Sequence, residues 1–293
     1  MLLEKKKKIS EIDRSALHTV AFDLDGTLLG ERGILSAFTR ESIAALVKKD
    51  IHIVLATGRR FFSANEIAKE FGKKVAVVCN NGQILRLSPS EEKIYSKYLN
   101  SAMVESCFHL AKQHGIDPIF HVDYYEEGYD LLTEFPITDS RYYHYSRGDL
   151  ARTFTPDQFN PNSIDNVNVM LFLHHEVDRL EALEVQLSQL EVLRGYRLVK
   201  THIPGIGFCL EILDANVSKW SGIQRYLELE NLHASGVVCF GDEHNDLEMI
   251  QHSGIGIAMQ NAVPAVLEVA DFITEKTNLE DGVAHSLFYL GIL

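Results

Sequence analysis

The stretch that most constrains this chain is residues 18–29, HTVAFDLDGTLL. Thr19, Val20, Ala21 and Phe22 make an apolar, partly β-branched run of the kind that forms a buried strand. Asp and Gly disfavour strands, so this one should stop where Asp23, Asp25 and Gly26 begin. Two carboxylates, two residues apart, then stand at the carboxyl end of a strand, where open parallel sheets bind ligands. Taken alone, an Asp-Gly turn closing a strand accounts for the same residues. The rest of the chain has to decide.

Two further apolar runs, residues 51–56 (IHIVLA) and 75–79 (VAVVC), read as strands. A helical pattern over residues 39–49 precedes the first. After Thr57-Gly58-Arg59-Arg60 a second helical pattern (FFSANEIAKEF) follows it. The Thr-Gly pair puts backbone N–H groups where an anion can sit, although a capped strand-to-helix turn has the same composition. The second run ends at Asn80-Asn81-Gly82. This alternation predicts an α/β fold with a doubly wound parallel sheet.

From about Gln83 to Leu213 the texture changes. Strand-like runs alternate, two helical stretches intervene, and tyrosines concentrate (Tyr124, Tyr125, Tyr129, Tyr142, Tyr143, Tyr145). An inserted α+β unit is expected, an antiparallel sheet with helices on one face. The parallel pattern then returns, with Ser218 as helix N-cap, a strand at residues 237–240, and Gly241-Asp242-Glu243-His244-Asn245-Asp246. The expected organisation is an amino-terminal extension (1–18), a core of residues 19–86 and 213–293, and an insert of residues 87–212.

Asp242 and Asp246 would share one face of a first helical turn if a helix begins at residue 243, where capping alone could account for them. A second acidic strand end changes the reading, because both should meet at one edge of the sheet. Clustered carboxylates repel unless a hard cation joins them, and Mg²⁺ takes carboxylates together with water and phosphate oxygens. Lys219, in the first turn of a helix, opposes the helix dipole. Holding a phosphate near carboxylates would explain it, and a solvated surface lysine would too.

The order Asp-x-Asp-Gly-Thr, Thr-Gly-Arg, Lys, Gly-Asp-x-x-Asn-Asp resembles the haloacid dehalogenase-like superfamily of aspartate-dependent phosphohydrolases, and within it the Cof-type sugar-phosphatase group. The resemblance covers nearly all of residues 19–86 and 214–290, including the late stretch GIGIAMQNAVPAVLEVADFITEKTNLEDGVAHSL. It implies a Rossmann-like core with a cap domain inserted between Thr57 and Lys219. It further implies that Asp23 is the nucleophile and that Asp25 protonates the leaving oxygen and then deprotonates water. Leu24 and Gly58 would offer N–H groups to phosphate, Thr57 its hydroxyl, and Lys219 a balancing charge. Asp23, the Asp25 carbonyl and Asp242 would hold Mg²⁺, with Asp246 acting partly through water and Asn245 contacting phosphate. Two departures from the group's pattern stand out: Trp220 follows the lysine where glycine is usual, and Gln83 stands where alanine is common.

The expected partner is therefore a small phosphorylated metabolite. Arg59, and in the insert Tyr124, Tyr125, Arg141 and Arg147, are candidates for contacting the rest of it. A net charge of −13 argues against a nucleic-acid backbone. No apolar stretch backs the basic run at residues 5–8, and none of about 20 residues exists for a membrane span, so a cytoplasmic protein is expected and residues 5–8 read as a solvated extension. Cys79, Cys107, Cys209 and Cys239 are spaced as buried free thiols. Two alternatives stand beside hydrolysis: a phosphomutase passing the same phosphoryl group to a sugar, and a binding module on a retired phosphatase fold. The sequence leaves the oligomeric state open.

Overall fold

A computed structural model describes residues 2–136, 145, 152–203 and 207–293. Two compact units emerge, residues 1–95 with 217–293, and residues 96–216.

The strands of the first unit are β1 (Leu2–Glu4), β2 (Thr19–Phe22), β3 (His52–Ala56), β4 (Val75–Cys79), β5 (Ile84–Ser88), β6 (Lys93–Ser96), β13 (Val237–Gly241), β14 (Ile255–Ala258) and β15 (Phe272–Thr274). They form one sheet in the order β1-β15-β14-β13-β2-β3-β4-β5-β6. From β15 through β4 each neighbouring pair is parallel. These inner strands are buried on both faces, as their unbroken apolar runs require. The helices are α1 (Ala37–Lys48), α2 (Phe61–Lys69), α5 (Lys219–Glu230), α6 (Leu247–His252), α7 (Pro264–Val269) and α8 (Gly282–Tyr289). Ser36 caps α1 by accepting from Thr39 N at 2.9 Å. His52 is a strand-end residue whose Nδ1 lies 2.8 Å from the Tyr226 hydroxyl. Trp220 is buried beside the ring of His252, within this unit.

The lysines of the basic amino-terminal run are largely exposed, but the segment is tied to the sheet rather than extended away from it. β1 pairs antiparallel with β15, and the backbone N–H groups of Lys5 and Lys6 both donate to Asp271 O. Lys7 Nζ donates to Asp271 Oδ2 at 2.9 Å and to Gly254 O. An edge strand's open backbone groups favour such a partner, and the lysines find acceptors at the strand ends.

The second unit has strands β7 (Ile119–Tyr124), β8 (Tyr129–Thr133), β9 (Thr153–Phe154), β10 (Val167–His174), β11 (Tyr196–Ile203) and β12 (Gly207–Asp214) in the order β11-β12-β10-β7-β8-β9. All pairs are antiparallel except β8 with β9. The helices α3 (Ser101–Gln113) and α4 (Val177–Ser188) bury Val104, Phe108, Leu180 and Leu183 with Phe120 and Phe172 of the sheet. On another cluster of the sheet, Ile119, Leu131, Leu171, Leu173 and Cys209 pack with Phe135 and Tyr145. The α+β insert expected from the alternation is present. All four cysteines are buried and free, and among the described residues no helix is long and apolar enough to cross a membrane.

Candidate active site

Strand order places the acids. From β2 the chain builds outward through β3 and β4 on one side; β13, β14 and β15 fill the other. The direction reverses between β2 and β13, the crevice where doubly wound sheets bind ligands. Asp23 comes directly after β2 and Asp242 directly after β13. Asp23 N donates to Phe240 O at 3.0 Å, which carries the ladder one residue further. The Phe22 and Phe240 rings stack beneath at 5.6 Å.

Lys219 enters this crevice from the start of α5, whose cap is the predicted Ser218, accepting from Ser221 N at 3.2 Å. The lysine is 1% exposed. Its Nζ lies 2.6 Å from Asp23 Oδ1 and 2.6 Å from Asp246 Oδ1. The other Asp246 oxygen accepts from Asp242 N at 2.9 Å and Glu243 N at 3.0 Å. Asp246 therefore closes a loop back onto Asp242. The shared helical face expected for this pair is not formed: residues 244–246 make a 3₁₀ turn and α6 begins at Leu247. The backbone N–H groups of residues 242 and 243 take up the Asp246 carboxylate instead, and the chain bends around it.

Thr27 Oγ1 donates to Asp242 Oδ1 at 2.7 Å. Gly26 has φ +83°, and a Cβ there would lie 2.2 Å from Asp242 Oδ2, so glycine is required on both counts. The late stretch of the chain holds this loop from outside: Asn261 Nδ2 donates to Gly26 O and Asn278 Nδ2 to Leu29 O, both at 2.8 Å.

Asp23, Asp242 and Asp246 are all buried, with one oxygen from each within 4.8 Å of the others. Three carboxylates face one ammonium. Burial holds the Asp23 carboxyl well above the usual range; Lys219 opposes this, while the charges of Asp246 and Asp242 reinforce it. Burial also pushes Asp242 up to about 6, against the Thr27 hydrogen bond and with the help of Asp246. Burial works to lower the Lys219 pKa, but Asp23 and Asp246 outweigh it and the ammonium titrates above its ordinary value. A cluster of hard oxygens with excess negative charge, beside a glycine that leaves room at Asp242, fits a cation such as Mg²⁺.

Asp25 lies apart from this triad, its side chain 52% exposed. Its carboxylate receives the Arg59 guanidinium in a two-pronged pair, Nε to Oδ2 at 2.5 Å and Nη2 to Oδ1. The family resemblance implies Asp25 for a leaving oxygen, and Arg59 is expected against the remainder of a substrate. Here the two are joined, because they follow adjacent strands and their planar groups match in shape and charge. Thr57 is buried; its N donates to Val78 O at 2.8 Å and its Oγ1 accepts from Arg59 N at 3.1 Å. Leu24 is buried, and Gly58 lies against the amide of Asn81. Asn245 Nδ2 donates to Asn81 Oδ1 at 2.9 Å.

Asn81 and Thr27 were not singled out from the sequence. The signal for Asn81 was Asn-Asn-Gly directly after a buried strand, a run of residues that tolerate left-handed backbone. In the second unit, Tyr124 stacks on Tyr129 with ring centroids 5.0 Å apart and bonds Asp165 through its hydroxyl. The Tyr125 ring lies under the Arg152 guanidinium at 4.4 Å. Tyr145 bonds His121 at 2.6 Å. Arg141 and Arg147 lie outside the described residues, as do Tyr142 and Tyr143.

A doubly wound sheet with acids from two strand ends and a lysine between them defines the class, and the comparisons agree: the chain belongs to the haloacid dehalogenase-like hydrolases, whose family pattern it matches over residues 20–287. It is an enzyme of that family. Among its relatives is the 5-amino-6-(5-phospho-D-ribitylamino)uracil phosphatase YitU of Bacillus subtilis, 27% identical over 280 residues, covering 92% of this chain and 96% of that protein. A haloacid dehalogenase-like hydrolase from Bacteroides thetaiotaomicron has the same fold, with TM-score 0.81 at 24% identity over 94% of this chain and 99% of the other. The protein TM0651 from Thermotoga maritima superposes with TM-score 0.76 at 26% identity over 93% and 97%.

Proposed function

We propose that the chain is a Mg²⁺-dependent phosphatase of small phosphorylated metabolites, sugar phosphates foremost, working through an aspartyl-phosphate on Asp23. The observation that carries this reading is the Lys219 ammonium held between Asp23 and Asp246, with Asp242 completing a carboxylate triad at the switch point. Asp23 and Asp242, with the Asp25 main-chain carbonyl, would hold Mg²⁺, and Asp246 would contribute through water. When bound, the ion neutralises charge on the transferring phosphoryl group.

A carboxylate oxygen of Asp23 attacks phosphorus and the bond to the leaving oxygen breaks. Asp25 gives that oxygen a proton. Asp25 then takes a proton from water as the water oxygen attacks phosphorus, which releases inorganic phosphate and frees Asp23. To do so it exchanges the Arg59 guanidinium for the leaving oxygen, and the released Arg59 becomes available to the substrate. Lys219 balances charge at the phosphoryl oxygens, and the Thr57 hydroxyl, the N–H groups of Leu24 and Gly58, and the Asn245 amide orient them. The presence of all four motif acids supports an active enzyme over a retired one. The relative named for a phosphorylated ribitylamino-uracil supports a small metabolite as substrate.

Hydrolysis of p-nitrophenyl phosphate tests the reading. Activity should require Mg²⁺, vanish with EDTA and return on adding the metal. Asp23→Asn should keep its circular dichroism spectrum and lose at least about a thousandfold in turnover, since an amide cannot serve as the nucleophile. Appreciable turnover by that variant in metal-replete buffer would contradict the covalent route.

A further inference from the structure

The turn after β4 touches three parts of the candidate site: the Thr57 loop, the start of the Lys219 helix and Asn245. Asn80, Asn81 and Gly82 have φ of +49°, +56° and +100°, three consecutive residues in left-handed backbone. Such a run costs free energy for non-glycine residues and persists where its surroundings hold it. The surroundings here are the phosphate-site elements. Asn80 N donates to Arg59 O and Asn81 N to Thr57 O, each at 3.0 Å, which fixes the Thr57-Gly58-Arg59 loop. A Cβ on Gly82 would lie 2.1 Å from Ser218 O, so the turn abuts the cap residue of the helix that carries Lys219. The Asn81 side chain reaches the third element, Asn245.

The Asn245 amide shows what that last contact is for. Nδ2 is spent on Asn81, and Oδ1 is buried with no hydrogen-bond partner. A lone carbonyl oxygen is a poor neighbour for a phosphate. Turning both amides by half a rotation keeps their bond, with Asn81 Nδ2 now donating to Asn245 Oδ1. The Asn245 NH₂ group is then freed for an anion.

We propose that Asn81 is a positioning residue of the phosphate site: its left-handed backbone sets the Thr57 loop against the Lys219 helix, and its amide orients Asn245 to donate to phosphate. The proposal rests on the phosphatase reading above. It assigns to the β4–β5 turn a role in phosphate affinity that acts through Asn245 rather than by contact.

Four variants test it in the intact 293-residue chain with Mg²⁺, p-nitrophenyl phosphate as substrate and inorganic phosphate as inhibitor. Asn81→Gly keeps the left-handed backbone and removes the amide. It should weaken phosphate inhibition and lower kcat/KM about tenfold or more, the scale of a lost charge-assisted hydrogen bond, while the chain stays folded at the assay temperature by circular dichroism. Asn245→Ala should do the same, and the double variant should be no worse than Asn245→Ala alone, because both act on one contact. Asn81→Asp, nearly isosteric but able only to accept, should be more impaired than Asn81→Gly, whereas a purely structural role would leave the Asp variant the better of the two. Wild-type phosphate affinity in Asn81→Gly, additive losses in the double variant, or full activity in Asn81→Asp would each overturn the proposal. If Asp23→Asn is inactive while Asn81→Gly is normal, only this inference falls; if Asp23→Asn is active, the phosphatase reading falls with it.

Discussion

Gly26 is a position where one added methyl group should disturb the carboxylate triad directly. Ala there must hold φ near +83° and place Cβ 2.2 Å from Asp242 Oδ2. The left-handed backbone alone costs about 1–2 kcal/mol, and the collision moves a triad carboxylate as well. Gly26→Ala should therefore lose stability by at least that amount in urea denaturation and raise the Mg²⁺ concentration needed for half-maximal activity. An unchanged metal requirement would show that Asp242 does not depend on that space. At this scale much of the site was legible, because Asp23, Lys219, Asp242 and Asp246 are residue types that strand ends and first helical turns need a reason to carry. Contacts between motifs were less so. The Arg59–Asp25 pair, the Thr27 bond to Asp242 and the Asn81 bond to Asn245 span 34, 215 and 164 residues, and no local spacing encodes them.

Elements were legible where apolar periodicity is strong. The inner strands, whose runs of Val, Ile and Phe are buried on both faces, fall within a residue of their expected limits. Asp242 and Asp246 share a helical face only if a helix begins at residue 243, and it begins at Leu247 instead, because side-chain capping by Asp246 competes with helical hydrogen bonding, which a charge pattern alone does not show. β1 was missed. A three-residue strand has no period, and its partner β15 lies about 270 residues on. Removing residues 1–8 would strip β15 of that partner and leave the nearly buried Asp271 without Lys7, although Gly256 N still donates to it at 3.0 Å. Lost ladder bonds and a stranded carboxylate should lower the melting temperature by several degrees. The kcat on p-nitrophenyl phosphate should stay at its wild-type value, since the segment supplies no group to the triad. A truncated chain that melts normally, or one that is stable but slow, would show that β1 does something else.

Over the whole molecule, the two-part pattern of the sequence, parallel signals around an α+β insert, matches the two sheets found. Packing inside the insert was beyond reach, because tyrosine and arginine suit a sugar site and a sheet surface equally well. Tyr124, stacked on Tyr129 and bonded to Asp165, is taken up by its own unit. Glu211 should give that unit a pH dependence. It sits in β12 between Leu171 and Val199, and burial pushes its carboxyl up from 4.5 to about 7, with Arg197 pulling the other way. The folded chain then holds a proton that the unfolded chain has already released above about pH 4.5. Stability should fall as pH rises toward 7 and level off beyond it, by no more than about 3 kcal/mol. Glu211→Gln should gain on the wild type across that window in urea denaturation. A difference between the two that stays constant from pH 4.5 to 8 would place the Glu211 carboxyl at its ordinary value.

The nucleophilic role proposed for Asp23 is the centre on which the other assignments turn, and trapping the phosphoryl-enzyme tests it most directly. Asp25→Asn removes the group that would activate water while sparing Asp23, and nitrophenolate leaves without an acid's help. Mixing this variant with p-nitrophenyl phosphate and Mg²⁺, quenching in acid and sequencing the peptides by mass spectrometry should reveal one phosphoryl group on Asp23, with a burst of nitrophenolate matching the enzyme concentration. Release of nitrophenolate without a burst, no adduct on Asp23, and turnover surviving in Asp23→Asn would contradict it.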